Sequence, residues 1–373
     1  MLCLAAPAQA EESGWSLDLF GRVQADAGDL GVPEGLADAE EGLEGEFRRV
    51  RIGAAGDIPG GLGYKVEVDF AGGDVTFTDA LLAYEAGGLT LAAGQHNTFQ
   101  SLEELTSSRF TSFVERAAFT DAFGFERRLG FSAQVESGDA LIQLGAFADN
   151  VHDIADDRDK GWSLDGRAVY APKAGETRLH LAGSAHWRAL DDGGADSLRY
   201  RQRPHFHFTS QRYIDTGSFA SSGELGLGLE AAAINGPFHA AAEAFWQTAQ
   251  RPGLEDPTFF GAYAEVGFFL TGGDSRGYKG FKFDRVKPKR PVGRGGIGAL
   301  QVNLRYDYLD LVDQGIVGGI HNGYAASLIW TPTSHTRLTL DYGRMEYDQA
   351  AVPAGGTSAY GVDTVGMRAQ FDF

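Results

Sequence analysis

Cysteine is nearly absent from the 373-residue sequence, since the only one is Cys3. Disulfide bridges, cysteine-ligated zinc and thiol catalysis are therefore excluded from the rest of the chain. No apolar run approaches the ~18 residues of a membrane-spanning helix. The mean hydropathy of −0.22 is also too polar for a helical membrane protein. The G-x-S-x-G and H-E-x-x-H motifs are missing, so the sequence does not indicate an enzyme.

Positive charge is scarce, because 32 lysines and arginines face 51 aspartates and glutamates, for a net charge of −19. Such a surface would repel a polyanion, which excludes nucleic acid as a general partner. Residues 293–298, GRGGIG, match G-x-G-x-x-G but precede a predicted strand rather than opening a helix. His205 and His207 share one side of an extended segment without an apparent third ligand. We therefore expect neither a cofactor nor a metal.

The first ten residues, MLCLAAPAQA, resemble the end of a secretory signal peptide. They are small and apolar, they end in Ala8-Gln9-Ala10, and an acidic pair follows them. We expect 1–10 to be the remnant of a truncated signal and 11–373 to form one exported domain.

From Trp15 onward, short segments alternate between apolar and polar residues, with clusters of glycine, aspartate, asparagine and proline between them. Near the C-terminus, for example, Leu300 and Val302 share one face, and Gln301 and Asn303 share the other. The sixteen segments of this kind are 15–26, 47–57, 62–70, 75–86, 88–96, 125–136, 140–149, 161–171, 176–188, 224–235, 237–247, 258–271, 298–309, 322–331, 336–347 and 361–373.

The second face of these segments is charged rather than merely polar, which suits a water-filled lumen better than a packed interior. Each segment is long enough for a tilted membrane strand of roughly 9–11 residues, and aromatic residues lie near the ends of the apolar rows. The sequence therefore predicts an all-β protein, a 16-stranded antiparallel transmembrane β-barrel.

The lengths of the connections give a second test, because such barrels have short periplasmic turns and longer outer loops. If the N-terminus is periplasmic, 272–297 is the one connection that is longer than expected for a periplasmic turn. The same numbering places the C-terminal Phe373 in the periplasm. The expected outer connections are 27–46, 71–74, 97–124, 150–160, 189–223, 248–257, 310–321 and 348–360, and the expected periplasmic ones are 58–61, 87, 137–139, 172–175, 236, 272–297 and 332–335.

Arginine and lysine are concentrated in three parts of the chain despite the net acidity. These are Arg22, Arg48, Arg49 and Arg51 on the first two strands, Arg199, Arg201, Arg203 and Arg212 in 189–223, and eight basic residues against two acidic ones in 272–297. If 199–203 is extended, its three arginines project from one side about 7 Å apart. Neighbouring charges at that distance repel by about 0.6 kcal/mol in water, so the row needs anions or carboxylates beside it.

Two interpretations of this pattern carry equal weight. The arginines could line a pore whose guanidinium groups hold and pass an oxyanion such as phosphate. They could instead form a ladder of salt bridges with carboxylates on the same face, which are Asp18, Asp26, Glu67 and Asp69. For 272–297, the alternative to a site is a solvated basic loop near lipid phosphates or lipopolysaccharide.

The chain resembles the phosphate-selective porin O/P family over nearly its full length. The matching stretches are 48–53 (RRVRIG), 64–70 (YKVEVDF), 78–80 (TDA), 101–109 (SLEELTSSR), 114–116 (VER), 127–130 (RRLG), 235–238 (NGPF), 269–273 (FLTGG) and the Trp330-x-Pro332 turn. The resemblance implies a trimeric sixteen-stranded outer-membrane barrel whose loops near 97–124 and 189–223 fold inward. It also implies a lumen of arginines and lysines that conducts phosphate or polyphosphate.

Carried over residue by residue, the resemblance implies an anion ladder of Arg22, Arg48, Arg49 and the Arg199 to Arg212 group, with Asp79 as an acidic counterpart. The sequence departs from the family at 94–98 (GQHNT), where a lysine is common, and 97–124 contains no lysine. Because one cationic element of the constriction is missing, the sequence supports anion conduction more strongly than phosphate specificity.

We therefore expect an outer-membrane diffusion porin of a Gram-negative bacterium with an anion preference. Its expected partners are phosphate or other small anions, outer-membrane lipid and lipopolysaccharide, and two further copies of the chain. A general, weakly selective or cation-tolerant porin is the alternative that the net charge favours. An enzyme or adhesin mounted on a barrel is disfavoured, because no nucleophile constellation is present.

Overall fold

The protein is described here from a computed structural model that covers residues 14–33, 35–36, 42–152, 161–190 and 198–373. The expected signal remnant at 1–10 lies outside these residues. Within them, no helix has both the length and the apolar character needed to cross a membrane.

Sixteen strands pair in antiparallel fashion with their neighbours along the chain. The last strand pairs with the first, with Asp372 opposite Arg22, and this pairing closes the barrel. The strands are β1 (Asp18–Leu30), β2 (Leu43–Ile58), β3 (Leu62–Asp69), β4 (Thr76–Ala86), β5 (Leu89–Asn97), β6 (Arg127–Ser137), β7 (Ala140–Phe147), β8 (Gly161–Tyr170), β9 (Thr177–Leu190), β10 (Gly223–Asn235), β11 (Phe238–Gln250), β12 (Thr258–Phe269), β13 (Ala299–Asp313), β14 (Ile316–Thr333), β15 (Thr336–Asp348) and β16 (Tyr360–Asp372). The predicted number and order of strands are confirmed.

The apolar residues of the wall face outward and the polar residues face inward, which is the reverse of the arrangement in a water-soluble protein. On β1, Arg22 and Gln24 are buried against the interior, whereas Leu19 is 64% exposed. On β13, Arg305 is buried and Leu304 is 61% exposed. An apolar outer surface is stable in lipid, and a polar inner surface is stable beside water. Period-two alternation therefore assigned the faces correctly.

Several strands continue further than their predicted ends. The predicted loop 310–321 is instead occupied by β13 and β14, which pair as far as Asp313 and Ile316 and leave a two-residue turn. A bulge between Asp310 and Val312 interrupts this pairing, so the alternation loses its phase and the sequence pattern ends too early.

The residues between β5 and β6 pack against the inner face of the wall. They contain two short helices, α1 (Leu102–Leu105) and α2 (Ala118–Ala122). Phe119 of α2 lies parallel to the Phe245 ring of β11, with centroids 6.1 Å apart, and also stacks on Tyr263 of β12. This buried aromatic cluster fills the side of the interior next to β11 and β12.

Wall carboxylates hold the backbone of the same segment. The N–H groups of Leu102 and Glu103 both donate to Glu243 at 2.8 Å. The N–H of Val114 donates to Asp341 at 2.8 Å, and that of Ala118 donates to Asp307 at 2.8 Å. Because these acceptors lie on β11, β13 and β15, the segment crosses the interior in a fixed position. The carboxylates and N–H groups thus satisfy one another away from bulk water.

The long connection between β12 and β13 also enters the barrel, from the periplasmic end. It forms a small hairpin in which Gly277–Lys279 pairs with Lys282–Asp284. The Tyr278 hydroxyl lies 2.8 Å from Nδ1 of His180 on β9. Arg276 donates to the Ser112 hydroxyl at 2.8 Å, so this connection touches the segment that follows β5.

Candidate functional site: a cationic cavity inside the barrel

A cavity of about 720 Å³ lies between the β1–β6 side of the wall and the inserted segments. Among the described residues, eleven arginines and lysines line it, against five aspartates and glutamates. The eleven are Arg22, Arg48, Arg49, Arg51, Lys65, Arg109, Arg116, Arg127, Arg203, Lys279 and Lys282. A chain of strong net negative charge therefore has a cavity whose lining is rich in basic residues.

The residues singled out from the sequence divide into two sets. Six of them line the cavity together: Arg22, Arg48, Arg49, Arg51, Arg203 and Asp79. The other three, Arg199, Arg201 and Arg212, are not among the residues that line it.

The chain path explains this division. The extended part of this segment is short, since Leu198 bridges Phe219 and Arg201–Gln202 pairs with Ile214–Asp215, and the chain then turns at Pro204 and His205, where φ of His205 is +63°. Arg199 consequently pairs with Asp215, Nε to Oδ1 at 2.8 Å, and the Arg201 side chain is exposed. The arginines at 199, 201 and 203 do not form the single row that an extended segment would give.

Arg212 lies close to Arg203 but faces away from the cavity. It donates to the carbonyls of Ser210 and Gln211 at 3.0 and 2.9 Å. Burial, and then the positive charge of Arg203, lower the pKa of Arg212 to about 10. Its Nη1 donors are thus taken up by its own loop, whereas its Nε makes no hydrogen bond to the described residues.

Most lining cations are paired with a carboxylate. Arg22 contacts Glu67 at 2.6 Å, and Arg51 contacts Asp69 at 2.6 Å. Asp79 lies between two cations, with Lys65 at 2.5 Å and Arg127 at 2.8 Å. The paired cations on β1 to β6 thus form a salt-bridge network along the cavity wall.

Glu115 links this network to the inserted segment. It accepts from Arg48 at 2.8 Å and from Arg368 of β16 at 2.9 Å. Burial opposes the ionisation of Glu115, but the positive charges of Arg48, Arg49 and Arg368 outweigh it and hold its pKa well below the usual range.

Three lining cations have no carboxylate within 4.0 Å among the described residues. They are Arg49, Lys279 and Lys282. Arg49 donates to the side-chain oxygen of Gln24 at 3.1 Å. Burial lowers the pKa of Lys282, and the neighbouring Lys65 and Arg167 lower it further. These three groups can receive an anion without displacing a carboxylate.

Six of the lining cations escaped the sequence-based site, and one of them is Arg127 at the start of β6. Alternation alone could have indicated Lys65, because it shares a face with Glu67 on β3. Arg109 and Arg116 lie in the inserted segment between β5 and β6, and Lys279 and Lys282 lie in the periplasmic hairpin. Their positions depend on tertiary contacts, which residue spacing does not encode. Residues 97–124 border this cavity and contain no lysine. The two hairpin lysines, Lys279 and Lys282, supply ammonium groups to the same cavity.

The lining offers guanidinium and ammonium groups, which can donate hydrogen bonds to an anion. Within the described part of the chain, no group of three or more His, Cys, Asp or Glu residues is placed to hold a metal ion. Guanidinium groups present fixed pairs of donors that match an oxyanion, and several weak sites in sequence permit an ion both to bind and to leave.

A closed barrel with an apolar exterior and a cationic lumen is the architecture of an outer-membrane porin. A family model for the phosphate-selective porin O and P matches residues 18–373, and the chain belongs to this family. The resemblance inferred from the sequence is thereby confirmed. Membership assigns a channel function, not an enzymatic one, in the outer membrane of a Gram-negative bacterium.

Known proteins of similar sequence and fold agree with this assignment. A protein of Caulobacter vibrioides, described as uncharacterized, is 46% identical over 361 residues, which cover 95% of this chain and 73% of that protein. The anion-selective porin from Comamonas acidovorans has a TM-score of 0.58 at 14% identity, covering 96% of this chain and 100% of that one. The trimer form of OmpT from Vibrio cholerae has a TM-score of 0.59 at 10% identity, covering 96% and 100%. At these identities, the two structures show a shared fold.

Proposed function

We propose that this porin prefers anions and passes phosphate or similar oxyanions through the cationic cavity. The observation that carries the proposal is the cavity lining, in which basic residues outnumber acidic ones by eleven to five. The whole chain has the opposite balance, with a net charge of −19. A positive lumen enriches anions by Coulomb attraction, and its low-dielectric walls strengthen the effect.

Within the cavity, the cations without carboxylate partners are the best candidates for direct contact with the ion. Arg49 offers guanidinium donors beside a single amide acceptor, Gln24. Lys279 and Lys282 stand on the periplasmic hairpin and supply positive charge at another border of the cavity. The paired arginines, Arg22 and Arg51 among them, contribute mainly to the field and to the shape of the wall.

We extend the proposal to the assembly and surroundings of the protein. A homotrimer is supported by the trimer form of OmpT, which shares the fold. Contact with outer-membrane lipid and lipopolysaccharide is supported by the exposed leucines, valines and aromatic residues that cover the outer face of the strands.

A general, weakly selective porin is the second candidate, and the salt bridges favour it. Eight of the eleven lining cations lie within 4.0 Å of a carboxylate. If these pairs neutralise one another fully, size rather than charge selects the solute.

Phosphate titration of the chloride current separates the two candidates. Single channels in a planar bilayer would be recorded in KCl while phosphate is added to one side. A preference for oxyanions predicts a saturable fall in chloride current as phosphate occupies the cavity. A current that follows only the bulk conductivity, with no saturable component, would support the general porin.

A further inference from the structure

Four arginines converge on one short stretch of the segment between β5 and β6, at the periplasmic end of the interior. The stretch is 109–112, with the sequence Arg-Phe-Thr-Ser. Arg276 and Arg285 come from the connection between β12 and β13, Arg337 comes from β15, and Arg109 belongs to the stretch itself.

The contacts of these arginines are short and specific. Arg276 donates to the carbonyl of Phe110 and to the Ser112 hydroxyl. Arg337 donates to the carbonyl of Arg109 at 3.0 Å and to that of Thr111. The guanidinium carbons of Arg109 and Arg285 lie 5.0 and 5.2 Å from the centre of the Phe110 ring.

The four guanidiniums line a small void with a volume of about 20 Å³. A cavity needs roughly 10–15 Å³ of such volume to hold one water molecule, so this void admits a single particle of about that size. Chloride is only slightly larger than water and fits once the flexible arginine side chains adjust. A tetrahedral oxyanion with four oxygens does not fit.

The charge around the void is not balanced by the described residues. Asp372 is the only carboxylate among the lining residues, and Arg109 and Arg285 share it. Arg276 and Arg337 have no carboxylate within 4.0 Å among the described residues. Glu265 is reached only through the Ser112 hydroxyl and already pairs with Arg305.

Two donors of the arginines that line the void also lack acceptors. The Nε atoms of Arg276 and Arg337 are buried and make no hydrogen bond in the structure. Arg276 is 94% buried, and burial lowers its pKa although Glu265 acts in the opposite direction. A buried guanidinium with an unfilled N–H is strongly destabilising unless an acceptor, best of all a charged one, is present.

We propose that this void is a binding site for one small monovalent anion of chloride size. The ion accepts from the unfilled arginine donors, offsets part of the positive charge, and fastens together the two segments that enter the barrel from opposite ends. The site adjoins the larger cavity, with which it shares Arg109 and Phe110, and it holds its ion rather than conducting it. It holds residues 109–112 in position at the floor of the lumen.

Bromide replacement tests the site directly. The full-length protein would be crystallised with bromide in place of chloride, and anomalous differences would be measured at the bromine edge. We expect a peak in the void, within hydrogen-bond reach of Arg276 and Arg337, that is lost in Arg276→Gln. Ordered water without an anomalous peak in the wild-type void would overturn the proposal. Because the wild-type crystal is decisive, a variant that fails to fold leaves the test intact.

Thermal stability gives a second readout in solution. We expect the melting temperature of the wild-type protein to rise with the logarithm of chloride concentration when gluconate keeps the ionic strength constant, because gluconate is too large for the void. Arg276→Gln should remove most of this rise, and Arg344→Gln, which alters a partly exposed arginine that does not line the void, should keep it. Equal melting temperatures in chloride and gluconate would contradict the site.

The outcome is separable from that of the proposed function. Bromide in the large cavity without bromide in the void would overturn the structural anion site and leave anion conduction standing. Bromide in the void, together with a pore that shows no anion preference, would support the site and count against the proposed function.

Discussion

The Arg49 guanidinium donates a single hydrogen bond, 3.1 Å long, to the side-chain oxygen of Gln24. Its neighbour in sequence, Arg48, instead holds Glu115 through two bonds of 2.8 and 3.3 Å. Two adjacent arginines of one strand therefore have different roles. Arg48 belongs to the salt-bridge network of the wall, whereas Arg49 is available to an ion in the cavity.

We expect Arg49→Gln to reduce the anion preference of the pore. A unit charge about 7 Å from a passing ion contributes about 0.6 kcal/mol in water. Because its loss weakens the attraction of anions and the repulsion of cations alike, we expect roughly a threefold change for each ion and roughly an eightfold change in the anion-to-cation permeability ratio. The ratio would be obtained from reversal potentials in planar bilayers. Lys173→Gln removes the same charge from an exposed periplasmic turn and should leave the ratio unchanged. An Arg49→Gln pore as selective as the wild type would remove Arg49 from the site.

Arg201 and Arg203 provide a matched pair within one loop. Arg203 lines the cavity, and the Arg201 side chain is exposed outside it. We therefore expect Arg203→Gln to lower the chloride conductance and the anion preference, and Arg201→Gln to leave both near the wild-type values. Equal effects of the two substitutions would mean that overall loop charge, rather than the cavity lining, governs the pore.

Arg305 should fix the segment between β5 and β6 in place. It pairs with Glu265 at 2.7 Å and with Glu103, and it lies 4.3 Å from the centre of the Phe113 ring. Arg305→Met leaves two buried carboxylates without their cation, a change that typically costs about 3–5 kcal/mol.

Hydrogen exchange provides the readout for Arg305→Met. The amides of Leu102, Glu103 and Ala117, which donate to wall or loop carboxylates, should exchange much faster in the variant. Arg344→Met, the same substitution at a partly exposed arginine that pairs with Asp363, should leave their protection unchanged. Full protection of these amides in Arg305→Met would show that Arg305 does not fix the segment.

The selectivity of the pore should depend on pH through Lys282. Burial and neighbouring cations lower the pKa of Lys282, so its ammonium loses its proton at a lower pH than that of an ordinary lysine. As pH rises from neutral towards about 10, we expect the anion preference to fall, because the charged form is the one that attracts anions. Lys282→Arg keeps its charge throughout this range and should abolish the fall. A fall of the same size in Lys282→Arg would assign the titration to another group.

The fold was predictable because the barrel wall has a strict period. Residues two apart share a face, so the lumen position of Arg22 or Arg51 follows from counting along the strand. The pattern becomes unreliable where pairing shifts, as at the bulge between Asp310 and Val312 that hides the ends of β13 and β14.

The cavity was only partly predictable, because connections rather than wall strands form most of its border. Arg109 and Lys282 reach it only when their segments fold inward, and this depends on distant acceptors such as Glu243 and Asp341. For the arginines at 199, 201 and 203 the error was the opposite one, because the sequence predicted a shared position that the structure does not show. Their regular spacing gives a single row only if the backbone is extended throughout. Turns at Pro204 and His205 bring only Arg203 to the cavity.

The zero-current potential of the purified wild-type porin under a KCl gradient tests the central claim most directly. If the positive charge of the lumen outweighs its carboxylates, chloride permeates more readily than potassium and sets the sign of the potential. This potential should become smaller at higher salt, because salt screens the charges of the cavity. A potential near zero, or one of the sign set by potassium, would contradict an anion-preferring pore and show that the salt bridges neutralise the lumen.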